Sequence, residues 1–118
     1  MSAHRKPAPD VDTLLAALAD PYRRRAIELL GEAPRRAGEL ADLLGLPAPA
    51  MSRHLRTLRT SGLIAETHPE FDHRVRIYAL NAERLSDLKT WLAHAEAGWS
   101  QQLAAFKRHV ESKPERGR

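Results

Sequence analysis

Apolar residues recur at three- or four-residue intervals along most of the chain and alternate singly only near residue 77, which predicts amphipathic helices and one short β-ribbon. Asp12 is placed to cap a short helix running to about Ala19, with Leu14, Leu15 and Leu18 on its apolar side. Asp20-Pro21 reads as the N-cap and first residue of a second helix, because proline has no N–H to leave unpaired in a first turn. Ile27 and Leu30 face the core there, and Gly31 ends the helix. A third helix spans about Gly38 to Leu44, burying Leu40, Leu43 and Leu44, with Gly45 just past its end. After a short connection, Pro49 suits the first turn of a fourth helix that stops near Ser61, where Gly62 takes a left-handed position. Leu63 to Thr67 and Arg74 to Leu80 read as two antiparallel strands. In the second strand Val75, Ile77 and Ala79 alternate against Arg74, Arg76 and Tyr78. Asn81 caps a last helix that reaches about Glu111, roughly 45 Å at 1.5 Å per residue.

The fourth helix carries the chemistry. At about 100° per residue, Met51, Leu55 and Leu58 share one stripe while Arg53, Arg56 and Thr60 lie opposite. No acid accompanies the arginines, so one face packs and the other suits a polyanion. Ser52 and Arg53 stand near the start of the helix, where side chains reach base edges in a major groove. The fork of Arg53 matches guanine O6 and N7, a contact worth roughly 1 to 3 kcal/mol of discrimination. Arg56 and Arg59, farther along, suit phosphates and position the helix rather than specify sequence. Arg74 and Arg76 on the ribbon belong beside the backbone or across a minor groove. His54 projects about 60° from the centre of the apolar stripe. A partly packed histidine hydrogen-bonded to the backbone and a phosphate donor are both open readings for it. The ribbon turn, 69–73, has no glycine, and its Phe71 either folds back under the ribbon or touches a partner.

At 118 residues the chain is one domain, expected over 10–111, between Pro-containing polar tails at 1–9 and 112–118 expected to be disordered. Aromatics make up 5%, leaving Leu and Ala to supply most packing, which favours helix. The net charge of +4 matters through its distribution. Arg53, Arg56, Arg59, Arg74 and Arg76 crowd one region, whereas the last helix is balanced. A local basic patch on a balanced protein is the footprint of nucleic-acid binding. With no cysteine, thiolate metal sites, disulfides and thiol switches are excluded. No apolar run approaches the roughly 20 residues of a membrane span, and the amino end has no signal-like stretch, so a cytoplasmic protein is expected.

The last helix repeats apolar residues at Leu85, Leu88, Leu92, Ala95, Trp99, Leu103, Phe106 and Val110. One small domain covers only part of such a stripe, and the remainder is expected to meet a second copy. Leu14, Leu18, Leu88, Leu92, Ala95, Trp99, Leu103 and Phe106 are the candidate dimer residues. The competing reading makes Trp91 and Trp99 a lid on the protomer's own core.

The run Ala37-Gly-Glu-Leu-Ala-Asp-Leu-Leu-Gly-Leu46, followed by Met51-Ser-Arg-His-Leu55 and then Ser61-Gly-Leu-Ile64, resembles the helix-turn-helix of ArsR-type winged-helix repressors. The resemblance covers about Leu14 to Tyr78. It implies a mainly α winged helix-turn-helix fold, with about five helices and a two-stranded antiparallel wing, acting as a dimeric transcriptional repressor. Such relatives commonly place Ser, Gln or Thr where this chain has Pro47, Ala48 and Ala50. Sequence preference would then rest on Ser52, Arg53, DNA shape and methyl contacts from alanines such as Ala48.

Members of the family are often opened by a metal, but the residues that do this are missing. Glu39-Leu-Ala-Asp-Leu43 stands where thiolate-using relatives place cysteines. On the last helix Asp87 is followed by Lys89, not by the Asp-x-His that other relatives use, and His94 and His109 are spaced differently from their second ligand. His68, Asp72 and His73 make at most a weak wing site. No metal site and no cofactor are expected. Catalysis is not expected either, since Ser52 and His54, two apart on one helix, do not face each other. The expectation is a homodimer that occupies a two-fold operator on double-stranded DNA, with no named effector. The alternatives are a metal-responsive sensor and a winged-helix protein-interaction module. The arginine density counts against the module, because interface cores shed charge.

Overall fold

Helix ends in this protein follow from a few capping groups. The computed structural model describes residues 11–69, 72 and 74–112. In chain order these form α1 (Val11–Ala17), α2 (Pro21–Glu32), β1 (Arg35–Arg36), α3 (Ala37–Leu44), α4 (Ala48–Ser61), β2 (Ile64–Thr67), β3 (Ile77–Leu80) and α5 (Ala82–Ser112). The tails expected at 1–9 and 112–118 lie outside the described residues, except Ser112, which ends α5. Phe71 and His73 lie outside them too.

Asp20 caps α2 as expected, its Oδ1 accepting from the Tyr22 amide at 2.7 Å and the Arg23 amide at 3.2 Å. Asp12 does not cap α1; it lies within the first turn, where a negative charge still meets the positive end of the helix dipole. That helix stops at Ala17 instead of Ala19. Its last carbonyls find side-chain donors: Arg23 Nε and Nη2 donate to Ala17 O and Ala16 O at 2.6 and 3.3 Å, and Arg24 Nη1 to Leu18 O at 2.8 Å. The helix-turn-helix pair, α3 and α4, ends twice on a left-handed glycine. Gly45 has φ 68° and Gly62 φ 88°. In each case the next amide reaches back five residues, Leu46 N to Ala41 O at 2.9 Å and Leu63 N to Leu58 O at 3.2 Å, satisfying carbonyls the helix leaves open.

The core gathers Leu14, Ala26, Leu30, Leu40, Met51, Leu55, Leu58, Leu63, Ile64 and Tyr78 from the first four helices, β2 and β3 and the α4–β2 junction. Leu43 departs from expectation, being 52% exposed, while Ala41 is buried in its place. The eight-residue α3 turns only a narrow stripe inward, and Leu40 and Ala41 fill it. Ser61 is buried but satisfied, its hydroxyl donating to Leu58 O at 2.7 Å and accepting from Leu63 N.

The sheet has three strands in the order β1-β3-β2, all antiparallel, where two were expected. The additional strand, β1, has only two residues and carries no alternation a period can detect. Arg35 fixes it: its Nε donates to Leu29 O at 3.0 Å, and Nη1 and Nη2 pair with Glu39 and Glu32, each at 2.7 Å. The expected facing of β3 is also reversed. Tyr78 is buried, whereas Ile77 and Ala79 are only half-buried. Ile77-Tyr78-Ala79-Leu80 is an unbroken apolar run, and such a run has no phase. Packing set it, with Leu80 seated against the open Cα of Gly31.

Asn81 caps α5 through its Oδ1, which accepts from the Glu83 amide at 3.1 Å, and its own amide ties the helix start to Leu63 O at 2.9 Å. Leu85 and Leu88 pack against the core. Beyond them the helix leaves the domain, and Leu92, Trp99, Leu103, Phe106 and Val110 are exposed. No described helix is long and apolar enough to cross a membrane.

Candidate nucleic-acid interface

Helix α4 is anchored by Met51, Leu55, Leu58 and Ser61, all buried, which turns Ser52, Arg53, Arg56 and Thr60 outward. Ala48, at the helix start, is exposed as well. Among the described residues, neither Arg53 nor Arg56 has a hydrogen-bond or ion-pair partner, so both guanidinium groups are offered whole to the surroundings. A groove of about 520 Å³ separates α1 from the C-terminal half of α4 and brings Arg23 onto the same concave surface as Arg56, Thr57 and Thr60.

The remaining arginines are engaged. Arg59 Nη1 lies 2.6 Å from Glu66 Oε1, and Arg76 Nε lies 3.1 Å from Glu66 Oε2. Arg74 Nε is 3.3 Å from Asp72 Oδ1, which also accepts from the Arg74 amide at 2.9 Å. The sequence placed all five arginines in one basic region; it did not show that Glu66 joins two of them. The available signal was the position of Glu66 on β2, two residues after Ile64 and on the same face.

His54 faces inward. Its Nδ1 is 3.2 Å from Arg23 Nη1, its Nε2 is 4.0 Å from Asp20 Oδ1, and its ring stacks on Tyr22 with centroids 6.0 Å apart. The side chain is 18% exposed. The ring is partly packed, as one of its two open readings had it, but its partners are the side chains of Arg23 and Asp20 and not the backbone hydrogen bond expected. Burial pushes the Asp20 carboxyl up, but the Arg23 and Tyr22 amides, helped by His54 and the Arg23 charge, outweigh this and hold it below the ordinary 3.8.

In the wing, His68 Nδ1 donates to Val75 O at 2.9 Å, bracing the hairpin formed by β2 and β3. That nitrogen is therefore committed to the fold, and His73, its expected companion in a weak metal site, lies outside the described residues.

The candidate dimer residues separate into two groups. Leu92, Trp99, Leu103 and Phe106 are exposed along α5, with Ala95 half-buried between them. Leu14 is a correction: it is completely buried in the protomer's own core and has no surface left for a partner. The turn of α1 that buries Leu14 and Ala17 leaves Leu15 exposed and Leu18 partly so. Leu88 is half-buried and already packs on the core. Trp99 does not cap the core, since it is exposed beyond the domain.

Comparisons with known proteins agree with this geometry. The family pattern described as "Bacterial regulatory protein, arsR family" matches residues 20–66, which run from the α2 cap through α4 into β2. The HTH-type transcriptional regulator Rv2034 of Mycobacterium tuberculosis is 35% identical over 112 residues, covering 95% of each chain. The transcriptional repressor SdpR of Bacillus subtilis is 29% identical over 85 residues, covering 70% of this chain and 88% of its own. Among solved structures, an ArsR-like transcriptional regulator from Rhodococcus sp. RHA1 superposes with a TM-score of 0.69 at 29% identity, covering 87% of this chain and 94% of its own. With an outward arginine face on the second helix of a helix-turn-helix, a hairpin wing beside it and these relatives, the chain belongs to the arsR family of bacterial regulatory proteins, and it is a DNA-binding transcriptional regulator rather than an enzyme.

Proposed function

We infer that the protein is a homodimeric repressor that occupies a two-fold operator and blocks transcription by its presence there, acting in the cytoplasm where bacterial DNA lies. The observation that carries the DNA contact is the pair Arg53 and Arg56, exposed on the outward face of α4 and without a partner among the described residues. Arg53 and Ser52, early on the helix, read base edges, and Ala48 offers a methyl group to thymine. Arg56 meets phosphate, with Arg59, Arg74 and Arg76 flanking it along the backbone. His54 supports this face from behind by fixing Arg23 and the α1–α2 turn. The apolar stripe of α5 from Leu92 to Phe106, with Leu15 and Leu18 of α1, forms the dimer seam. The repressive sense draws support from SdpR, named a transcriptional repressor.

Two half-sites on one symmetric protein require a pseudo-palindrome whose halves lie about one helical turn, roughly 34 to 36 Å, or a multiple of it apart. Footprinting on genomic DNA tests this directly. Paired protections overlapping promoters are expected. Single unpaired protections inside genes, bound by a monomer, would overturn it.

A further inference from the structure

Glu66 is the only acid among the described residues that pairs with an arginine of the recognition helix and an arginine of the wing at once. Its position is fixed by the sheet. Ile64 and Glu66 share the inner face of β2, and Glu66 stands directly across from Tyr78, itself buried. The side chain is accordingly 12% exposed. One carboxylate oxygen is committed to Arg59 and the other to Arg76, which lies just ahead of β3, two residues before the cross-strand partner Tyr78. Both arginine side chains stay more than half exposed. Ion pairs to a largely buried carboxylate are screened by salt less than fully exposed ones.

We propose that Glu66 is a specificity-determining positioning residue: it ties the wing to the recognition helix through Arg59 and Arg76 and withholds part of their charge from DNA at large. The inference rests on the DNA-binding reading of this face. Sequence-independent affinity grows with each cation free to neutralise a phosphate, at about 0.9 in the salt slope per contact. A carboxylate shared by two arginines lowers that general attraction. The same carboxylate keeps the wing in register with α4, so that both reach DNA together only where the groove geometry suits both. Glu66 therefore widens the gap between operator and random sequence without touching a base.

The experiment measures binding of full-length wild type and Glu66→Gln to a duplex selected by the protein from a random pool and to an unselected duplex, across a salt series. Glutamine keeps the shape and removes the charge. In the variant, affinity for unselected DNA should rise roughly tenfold or more near 0.1 M salt, and the slope should steepen by about 1 to 2 per protomer. The ratio of selected to unselected affinity should fall at least fivefold. Equal gains on both duplexes, or an unchanged slope, would overturn the proposal. Two further variants at exposed positions keep the test sharp if Glu66→Gln folds poorly. Arg56→Gln removes an unpaired cation and should lower the slope by about one per protomer, whereas Arg59→Gln removes one already held by Glu66 and should lower it much less. Equal losses would also overturn it. A wild type that binds neither duplex at low salt would instead sink the DNA-binding reading itself.

Discussion

Replacing Leu103 by alanine probes the α5 seam with little disturbance of the protomer. Leu103 is 65% exposed, so its side chain contributes little to the isolated fold, and alanine is the best helix former available. Full burial of a leucine is worth about 1.5 to 3 kcal/mol. If the partner covers the two-thirds that is now exposed, the interface gains about 1 to 2 kcal/mol from this residue on each protomer. In a two-fold interface the same residue counts twice, giving about 2 to 4 kcal/mol per dimer. At 1.4 kcal/mol per tenfold, Leu103→Ala should weaken dimerisation roughly 30- to 700-fold. Sedimentation equilibrium over a concentration series reads this directly. Leu43→Ala supplies the control, because Leu43 is also about half exposed but lies on α3, away from the seam. Circular dichroism should show both variants as helical as the wild type. The reasoning fails if Leu103→Ala leaves the dimer constant within twofold of wild type, or if Leu43→Ala weakens dimerisation as much.

Three further outcomes follow from particular residues. Arg53→Ala should cost about 1 to 3 kcal/mol per half-site on operator DNA and little on random DNA, relaxing base preference at one position; competition binding with single-base operator variants checks it. Gly45 sits at φ 68° with open space around its Cα, so Gly45→Ala should lose about 1 to 2 kcal/mol to backbone strain alone, whereas Gly38→Ala, also in open space but inside α3, should gain about 0.5 to 1 kcal/mol; denaturant melts separate them. Asp20 titrates lower in the folded protein than its ordinary 3.8, so its share of stability is fully present above that value and disappears as pH falls through the lower folded value. Asp20→Asn keeps the cap but not the charge, and the gap between its melting temperature and that of wild type should close on acidification. A gap that widens instead would reverse the sign argued for Asp20.

The limits of helices and the direction of the recognition face were legible along the chain because their causes are local. Asp20 before Pro21, Gly45 and Gly62 after leucine-rich turns, and the 3.6-residue spacing of Met51, Leu55 and Leu58 each act within one or two turns of backbone. The absence of cysteine likewise excluded thiolate chemistry without reference to any fold. Tertiary structure decided whatever depended on residues distant in sequence. Arg35 and Arg36 become a strand only because β3 supplies a free edge and because Glu32, Glu39 and Leu29 O surround one guanidinium. Tyr78 rather than Ile77 faces inward because an unbroken apolar run takes its phase from the surface it packs on. Leu14 belongs to the core because α4 and α5 close over α1, an event no local period encodes. Glu66 acquires its two arginines from α4 and from the far side of the hairpin, and an ion pair of that kind is made by chain closure, which brings together charges that composition only counts.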